Sequence, residues 1–426
     1  MDGAGTRSAR GLPPRLQEPR APGVVVLLLL AVVHAACATA TPPAVATPPA
    51  AGSPAPDARQ RAEQALDRGL ALLGRGETVA AAVALREALA EQPDLGVARV
   101  ALARALYSAG DVDAAVDELR AVLRQDPEAT SARQALAAAL LARRDWAAAR
   151  AELEEIVRRH PDEPQAYYGL GLVRYAQRDL AGAADAYRRV LALAPGHHDA
   201  RYNLALVLKL SQREAEATPE FLAAAEAGVA RAQYFVGMAY AGGVGVERSL
   251  PLAVAWWMRA AGQGVTPAED ALASLRQVAL GRSRRPAAER QAAEDAFRDY
   301  RAALWSGLDV AREGDESAGA ALLRRGRVAE AVSMLIREAG ALDDSAQQQL
   351  EALYEQGVPG ALAPYDPRIL AWFQTAAAEG LTRPRIALAR VYGRGLGVPR
   401  DVPRAVALLR ATPHEDARRL LRELTP

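Results

Sequence analysis

AEQALDRGLALLGRGETVAAAVALREALAEQPDL (62–95), GVARVALARALYSAGDVDAAVDELRAVLRQDPEA (96–129), TSARQALAAALLARRDWAAARAELEEIVRRHPDE (130–163) and PQAYYGLGLVRYAQRDLAGAADAYRRVLALAPGH (164–197) are four consecutive stretches of one length. Aligned end to end, they place Pro93, Pro127, Pro161 and Pro195 34 residues apart. The eighth residue of each is small (Gly69, Ala103, Ala137, Gly171), as is the twentieth (Ala81, Ala115, Ala149, Ala183). The twenty-fourth is large: Leu85, Leu119, Leu153 and Tyr187. Small residues where two helices cross, and a large one filling the space beside them, are what close helix packing demands. Each stretch therefore reads as a hairpin of two helices. Gly76 and Gly110 fit the turn between them, where a positive φ is cheap without a side chain, while Arg144 and Arg178 replace them later. Leu204 and Ala205 fall on the next expected positions and predict a further first helix.

This 34-residue pattern resembles the tetratricopeptide repeat family. The resemblance implies an all-α, right-handed α-solenoid of stacked helix hairpins, in which neighbouring units share a core and leave a concave face for a partner. It places the array at 58–220. A second repeat type follows: ARAQYFVGMAYAGGVGVERSLPLAVAWWMRAAGQG (230–264) has a small and aromatic helix, a glycine-rich turn, and a second helix carrying Trp256 and Trp257. It resembles a Sel-like repeat, a longer-turned relative of the first unit, and assigns 221–265 to one. The C-terminal 346–426 resembles two more. One runs through Gly380, Leu388, Tyr392, Gly393, Gly395, Gly397 and Val398 to Ala405–Leu409. The other joins Leu353, Tyr354 and Gly357 to Trp372, Phe373, Ala376 and Ala377 across a loop with Pro359, Pro364 and Pro367. Between them, 266–345 reads as degenerate helical repeats. There Gly319, Leu322, Gly326, Ala331 and Leu335 keep the offsets of the first array, and Gly281-Arg-Ser-Arg-Arg-Pro286 marks a break. Its arginines are either a solvated loop or a basic contact patch.

Of 426 residues, only 5% are aromatic, 24% are charged, and the formal net charge is +1 with the signs interspersed. This describes helices with solvated outer faces and gives no electrostatic footprint for nucleic acid. Lys209 is the only lysine. At the N-terminus, Arg7, Arg10, Arg15 and Arg20 precede an apolar run from Val24 to Val33, then His34, Ala35, Ala36 and Cys37. Ten apolar residues are short for a membrane span, and the order reads as a secretory signal over 1–37. Cys37, the sole cysteine, resembles the processing site of bacterial lipoproteins, which implies lipidation of its thiol and, because Ala38 is not aspartate, an outer-membrane address facing the periplasm. His34 departs from that pattern, so cleavage after Ala38 or Ala40, giving a secreted or periplasmic protein, and an uncleaved anchor stay open. Residues 38–57 are rich in proline and alanine and read as a disordered linker, either a leash reaching about 60 Å or no spacer at all.

Chemistry is sparse. Gly242–Gly245 lacks the strand and Lys-Ser/Thr of a phosphate loop. His197, His198 and Asp199 diverge on a helix and have no second histidine segment, so the reading assigns no metal and no cofactor. Glu154-Glu155 and Asp343-Asp344 read as solvated pairs, and no serine carries a nucleophile motif; the chain reads as a non-enzyme. The tetratricopeptide resemblance instead implies a partner-binding groove lined by positions two, five, nine and twelve of each first helix. Carried over, these give Leu66, Leu70 and Leu73, then Tyr107, then Tyr168, Leu172 and Tyr175, then Tyr202, Leu206 and Lys209. Such a surface takes an amphipathic helix or an extended segment. The expected role is an envelope-tethered protein-protein interaction scaffold for a surface structure or export machine: polysaccharide export, a pilus or a secretin. Two alternatives stand beside it: a Sel-like repeat enzyme acting on β-lactam or cell-wall compounds, weakened by the lack of paired cysteines, and a glycan-binding envelope protein stacking sugars on Trp256, Trp257 and Trp372. Nothing in the pattern specifies an oligomeric state.

Overall fold

The computed structural model describes residues 57–305 and 317–425, among which 21 helices follow one another without a strand. The signal, Cys37 and nearly all of the linker lie outside the described residues. Two compact units divide near Val207.

The first unit holds α1 (Ala58–Gly74), α2 (Thr78–Glu91), α3 (Gly96–Ser108), α4 (Val112–Gln125), α5 (Thr130–Ala142), α6 (Trp146–Arg159), α7 (Pro164–Ala176), α8 (Leu180–Leu193) and most of α9 (His198–Leu210). Consecutive helices pack on one another from α1 to α8, and the first helices of successive hairpins touch, α1 on α3, α3 on α5 and α5 on α7. The proline period has a bonding cause. Each proline follows the end of a second helix, where the preceding residue is driven out of the helical region. Its carbonyl then accepts a guanidinium hydrogen bond: Arg99 to Pro93 at 2.7 Å, Arg133 to Pro127 at 2.7 Å, Arg201 to Pro195 at 3.0 Å. Arg189 serves Pro161 at 3.3 Å.

The hairpin turns also share one construction. Gly76, Gly110, Arg144 and Arg178 have φ of 76°, 90°, 62° and 65°, and the next N–H of each returns to the helix just ended, as Asp111 to the Leu106 carbonyl at 2.9 Å. Asp111, Asp145 and Asp179 then cap the following helices through Ala114, Ala148 and Gly182 N–H. The two arginines thus adopt the left-handed conformation that glycine takes without strain. Packing follows the small-and-large order. A Cβ on Gly69 would lie 2.5 Å from Leu85 Cγ, and one on Gly171 2.5 Å from Tyr187 Cε1. The outer side of α1 differs from its successors: Gln64 and Arg68 are exposed where Ala98 and Leu102, Ala132 and Leu136, Ala166 and Leu170, and Ala200 and Leu204 are buried. It is a polar end to the series, as stacked repeats require.

The second unit continues with α10 (Glu214–Glu226), α11 (Ala230–Gly242), α12 (Leu250–Gly262), α13 (Thr266–Ala279), α14 (Ala287–Trp305), α15 (Ala318–Arg324), α16 (Val328–Gly340), α17 (Asp344–Gln356), α18 (Pro367–Ala378), α19 (Thr382–Arg394), α20 (Val402–Arg410) and α21 (Glu415–Leu424). Its three wide turns close alike. Ser249 N–H donates to the Tyr240 carbonyl at 2.9 Å, Asp401 to Tyr392 at 2.8 Å, and Tyr365 to Tyr354 at 2.7 Å. The proline-containing loop therefore obeys the same rule as its glycine-rich relatives, with one added bridge between Val358 and Leu362. In α15 and α16, Gly319 lies directly beneath Leu335, sixteen residues on, as Gly69 lies beneath Leu85. At the end, α21 buries Ala417 and Leu420, sets Leu424 against Gly393, and exposes Arg418, Arg419 and Arg422.

The chain breaks between the helix end at Ala279 and the helix start at Ala287; within the break Arg284 is exposed, while Arg285 pairs with Glu289. Arg282 donates to the Gly380 carbonyl at 2.8 Å, while neighbouring Arg276 donates to the Gly340 carbonyl at 2.7 Å and pairs with Glu379.

Candidate partner-binding face

The structure separates the ten expected groove residues by depth. Tyr168, Leu172 and Tyr202 are buried, with 2%, 4% and 5% of their surface exposed, so these three belong to the core and not to an open tyrosine stripe. The cause is visible around Tyr168. Its ring stacks on His197 at 4.8 Å and leans on Tyr187 at 5.9 Å, and its hydroxyl oxygen accepts a hydrogen bond from Asn203 Nδ2 at 3.1 Å. Burial pushes the phenol well above its usual range. The polar end of the ring is thus satisfied inside the protein. His197 is itself partly desolvated, which lowers its pKa, and its Nδ1 accepts from Ala200 N–H at 3.2 Å, capping α9. That geometry requires the neutral ring with its proton on Nε2. His197 thus caps α9 and stacks on Tyr168, and among the described residues no three or more potential ligating side chains cluster.

Tyr175 and Leu206 are half-buried, as is Lys209, whose Nζ lies 3.2 Å from Glu214 Oε1. The accessible apolar surface lies instead at the start of the array. Leu66 and Leu73 are half-buried and Leu70 is 37% exposed on α1. On α3, Val97 is 62% exposed, and Val100, Arg104 and Tyr107 are half-buried. Burial raises the Tyr107 pKa, so its phenol stays protonated and able to donate. Val97, Val100 and Arg104 occupy positions two, five and nine of the second repeat, and the sequence reading passed over them. The signal was present: applying the register to every residue, and not to leucine and tyrosine alone, finds them.

Trp256 and Trp257 are buried, at 8% and 5% exposure, which removes them as a sugar-stacking platform. Trp257 lies over Gly237, and the Arg259 guanidinium covers Trp256 at 4.6 Å. Trp372 is half-buried beside Phe373. Among the described residues no helix is long and apolar enough to cross a membrane.

The hairpins, their shared turn chemistry and the continuous apolar core define an all-α solenoid of the protein-interaction class. Sequence families agree: tetratricopeptide repeats match residues 72–132, 134–198 and 174–234, and Sel1 repeats match 230–265 and 385–411. The chain is a tetratricopeptide and Sel1 repeat protein. No curated protein matches it along its sequence. Among solved structures, MamA 41-end from Desulfovibrio magneticus RS-1 is 23% identical, with a TM-score of 0.38 over 39% of this chain and 94% of that one. Another MamA crystal structure is 22% identical, with a TM-score of 0.37 over 41% and 95%.

Proposed function

We propose that the chain is an envelope-tethered scaffold that holds a protein component of a surface structure or export machine, such as a polysaccharide-export, pilus or secretin assembly. The observation that carries this reading is the run of first helices with their accessible apolar positions on α1 and α3, set on repeats whose general work is protein-protein interaction. Tethering is supported by the order of basic residues, apolar run and Cys37 at the N-terminus, and an outer-membrane, periplasm-facing address follows from Ala38. The tether would keep a partner close to the membrane and raise its effective concentration there. The test is affinity capture from envelope extracts, run beside radiolabelled-lipid incorporation. The proposal expects envelope-assembly components in the captured fraction and a lipid label that disappears in Cys37→Ala. A label that persists in Cys37→Ala, or a wild-type protein found wholly in the soluble fraction, overturns the tether.

A further inference from the structure

Arg104 is a cation in an apolar row. It holds position nine of the second repeat, where the other first helices carry Leu70, Ala138, Leu172 and Leu206. It is half-buried and makes no ion pair or hydrogen bond among the described residues. Half-buried arginines elsewhere in the array are engaged: Arg99 with Glu118 at 2.7 Å and Arg133 with Glu152 at 2.6 Å. On α3, Val97, Val100 and Tyr107 lie one or two turns away on the same side, and α1, which touches α3, carries Leu66, Leu70 and Leu73 at register positions five, nine and twelve. A guanidinium left without an anion between apolar ridges is costly to cover with an apolar surface and favourable to cover with a carboxylate.

We propose that the channel between α1 and α3 receives an amphipathic helix of a partner protein and that Arg104, with the Tyr107 hydroxyl beside it, reads one Asp or Glu side chain at the edge of that helix's apolar stripe. The inference rests on the interaction-surface reading above and adds the chemistry of the occupant. Leu66, Leu70 and Leu73 form an i, i+4, i+7 ridge on α1, the spacing with which one amphipathic helix meets another. Arg104 is a specificity element: it admits the carboxylate-bearing helix and penalises an otherwise identical apolar one.

The test is fluorescence anisotropy with the full chain and an 18-residue helical peptide carrying leucines at i, i+4 and i+7 and one flanking glutamate. The expected result is tight binding that weakens tenfold or more when that glutamate becomes glutamine. Arg104→Leu should erase the difference between the two peptides, and Arg104→Glu should bind a lysine version in preference, with circular dichroism showing each variant folded. Binding that ignores Arg104→Leu and Arg104→Glu overturns the inference while leaving the groove in place. Failure of every peptide to bind, with Leu70→Asp also leaving envelope partners unchanged, overturns the groove reading itself. A short peptide held only by its free C-terminal carboxylate, or self-association in sedimentation that Val97→Asp abolishes, likewise counts against a helical partner.

Discussion

Glu338→Gln should change how the second unit responds to pH. Glu338 lies on α16 with 1% of its surface exposed. Its carboxylate accepts from Ala318 N–H at 2.7 Å and Gly319 N–H at 2.9 Å, satisfying two of the unpaired donors at the start of α15. Burial dominates over these bonds and raises the pKa from 4.5 to about 7, with nearby Asp343 pushing the same way. A carboxyl that titrates higher in the folded state binds more protons there than in the unfolded chain. Its stabilising contribution is therefore complete below pH 4.5 and is lost as pH rises through about 7. The gap between those values corresponds to about 3 kcal/mol, taken as an order of magnitude.

Because repeat arrays do not unfold as a single unit, the suitable assay is hydrogen exchange at α15, following Ala320 to Leu323 from pH 5 to 8.5. After correction for intrinsic exchange, the wild-type opening free energy should fall by about 3 kcal/mol across this range, and that of Glu338→Gln should stay nearly level. The comparison with the variant cancels every other titrating group. A difference between the two proteins that is constant from pH 5 to 8.5 would refute the reasoning, since it would mean that Glu338 ionises as freely folded as unfolded.

Three further outcomes follow from the first unit. Gly171→Ala puts a methyl 2.5 Å from Tyr187 Cε1 and should lower stability by about 1–3 kcal/mol, while Gly171→Ala with Tyr187→Leu, which copies the Ala103 and Leu119 pair, should recover most of it in thermal melts. Arg144→Gly and Arg178→Gly relieve positive φ angles of 62° and 65° and should each raise stability by up to about 1 kcal/mol, the net of relieved strain and greater unfolded-chain entropy; a lowered melting temperature for both would contradict the turn assignment. His197 has its pKa lowered by burial, so its stabilising contribution is present above pH 6.5 and is lost as pH falls through the folded value. His197→Asn keeps a capping acceptor and should remove that acid sensitivity from exchange at the start of α9, to be checked between pH 4.5 and 7.5.

The sequence reading succeeded where a residue's role is local and repeated. Pro93, Pro127, Pro161 and Pro195 each end a helix through their own rings, and the small residue at position eight meets the large one at twenty-four within the same hairpin. Such pairs recur, so their spacing carries the fold. Depth within the concave side is different. Tyr168 is buried because His197 and Asn203 close over it, and Asn203 stands 35 residues further on with no counterpart in the pattern. Leu70 occupies an equivalent register position to Leu172 yet remains open, because burial depends on what the adjacent units supply. Periodicity alone does not report that. Arg144 and Arg178 fall between these cases: their place in the turn was legible, while the positive φ that they adopt there is set by the bond from the next aspartate N–H to the preceding helix.

The exposed apolar residues near the start of the array bear on function only if they are more than the bare end of a stack. An unfinished stack leaves open the face that an additional hairpin would cover, and there α1 carries Gln64 and Arg68 in place of the buried alanine and leucine of later units. Arg68 is moreover paired with Glu87 at 2.5 Å, which keeps that side solvated. Leu70 and Val97 occupy register positions nine and two, away from this capped side, so another repeat would not account for their exposure. Val79 and Val83 on α2 are exposed to a similar degree, so the binding proposal rests on the register positions of Leu70 and Val97 beside Arg104 and not on exposure alone. Arg104, unpaired among the described residues in the same row, gives that surface a sign as well as a shape.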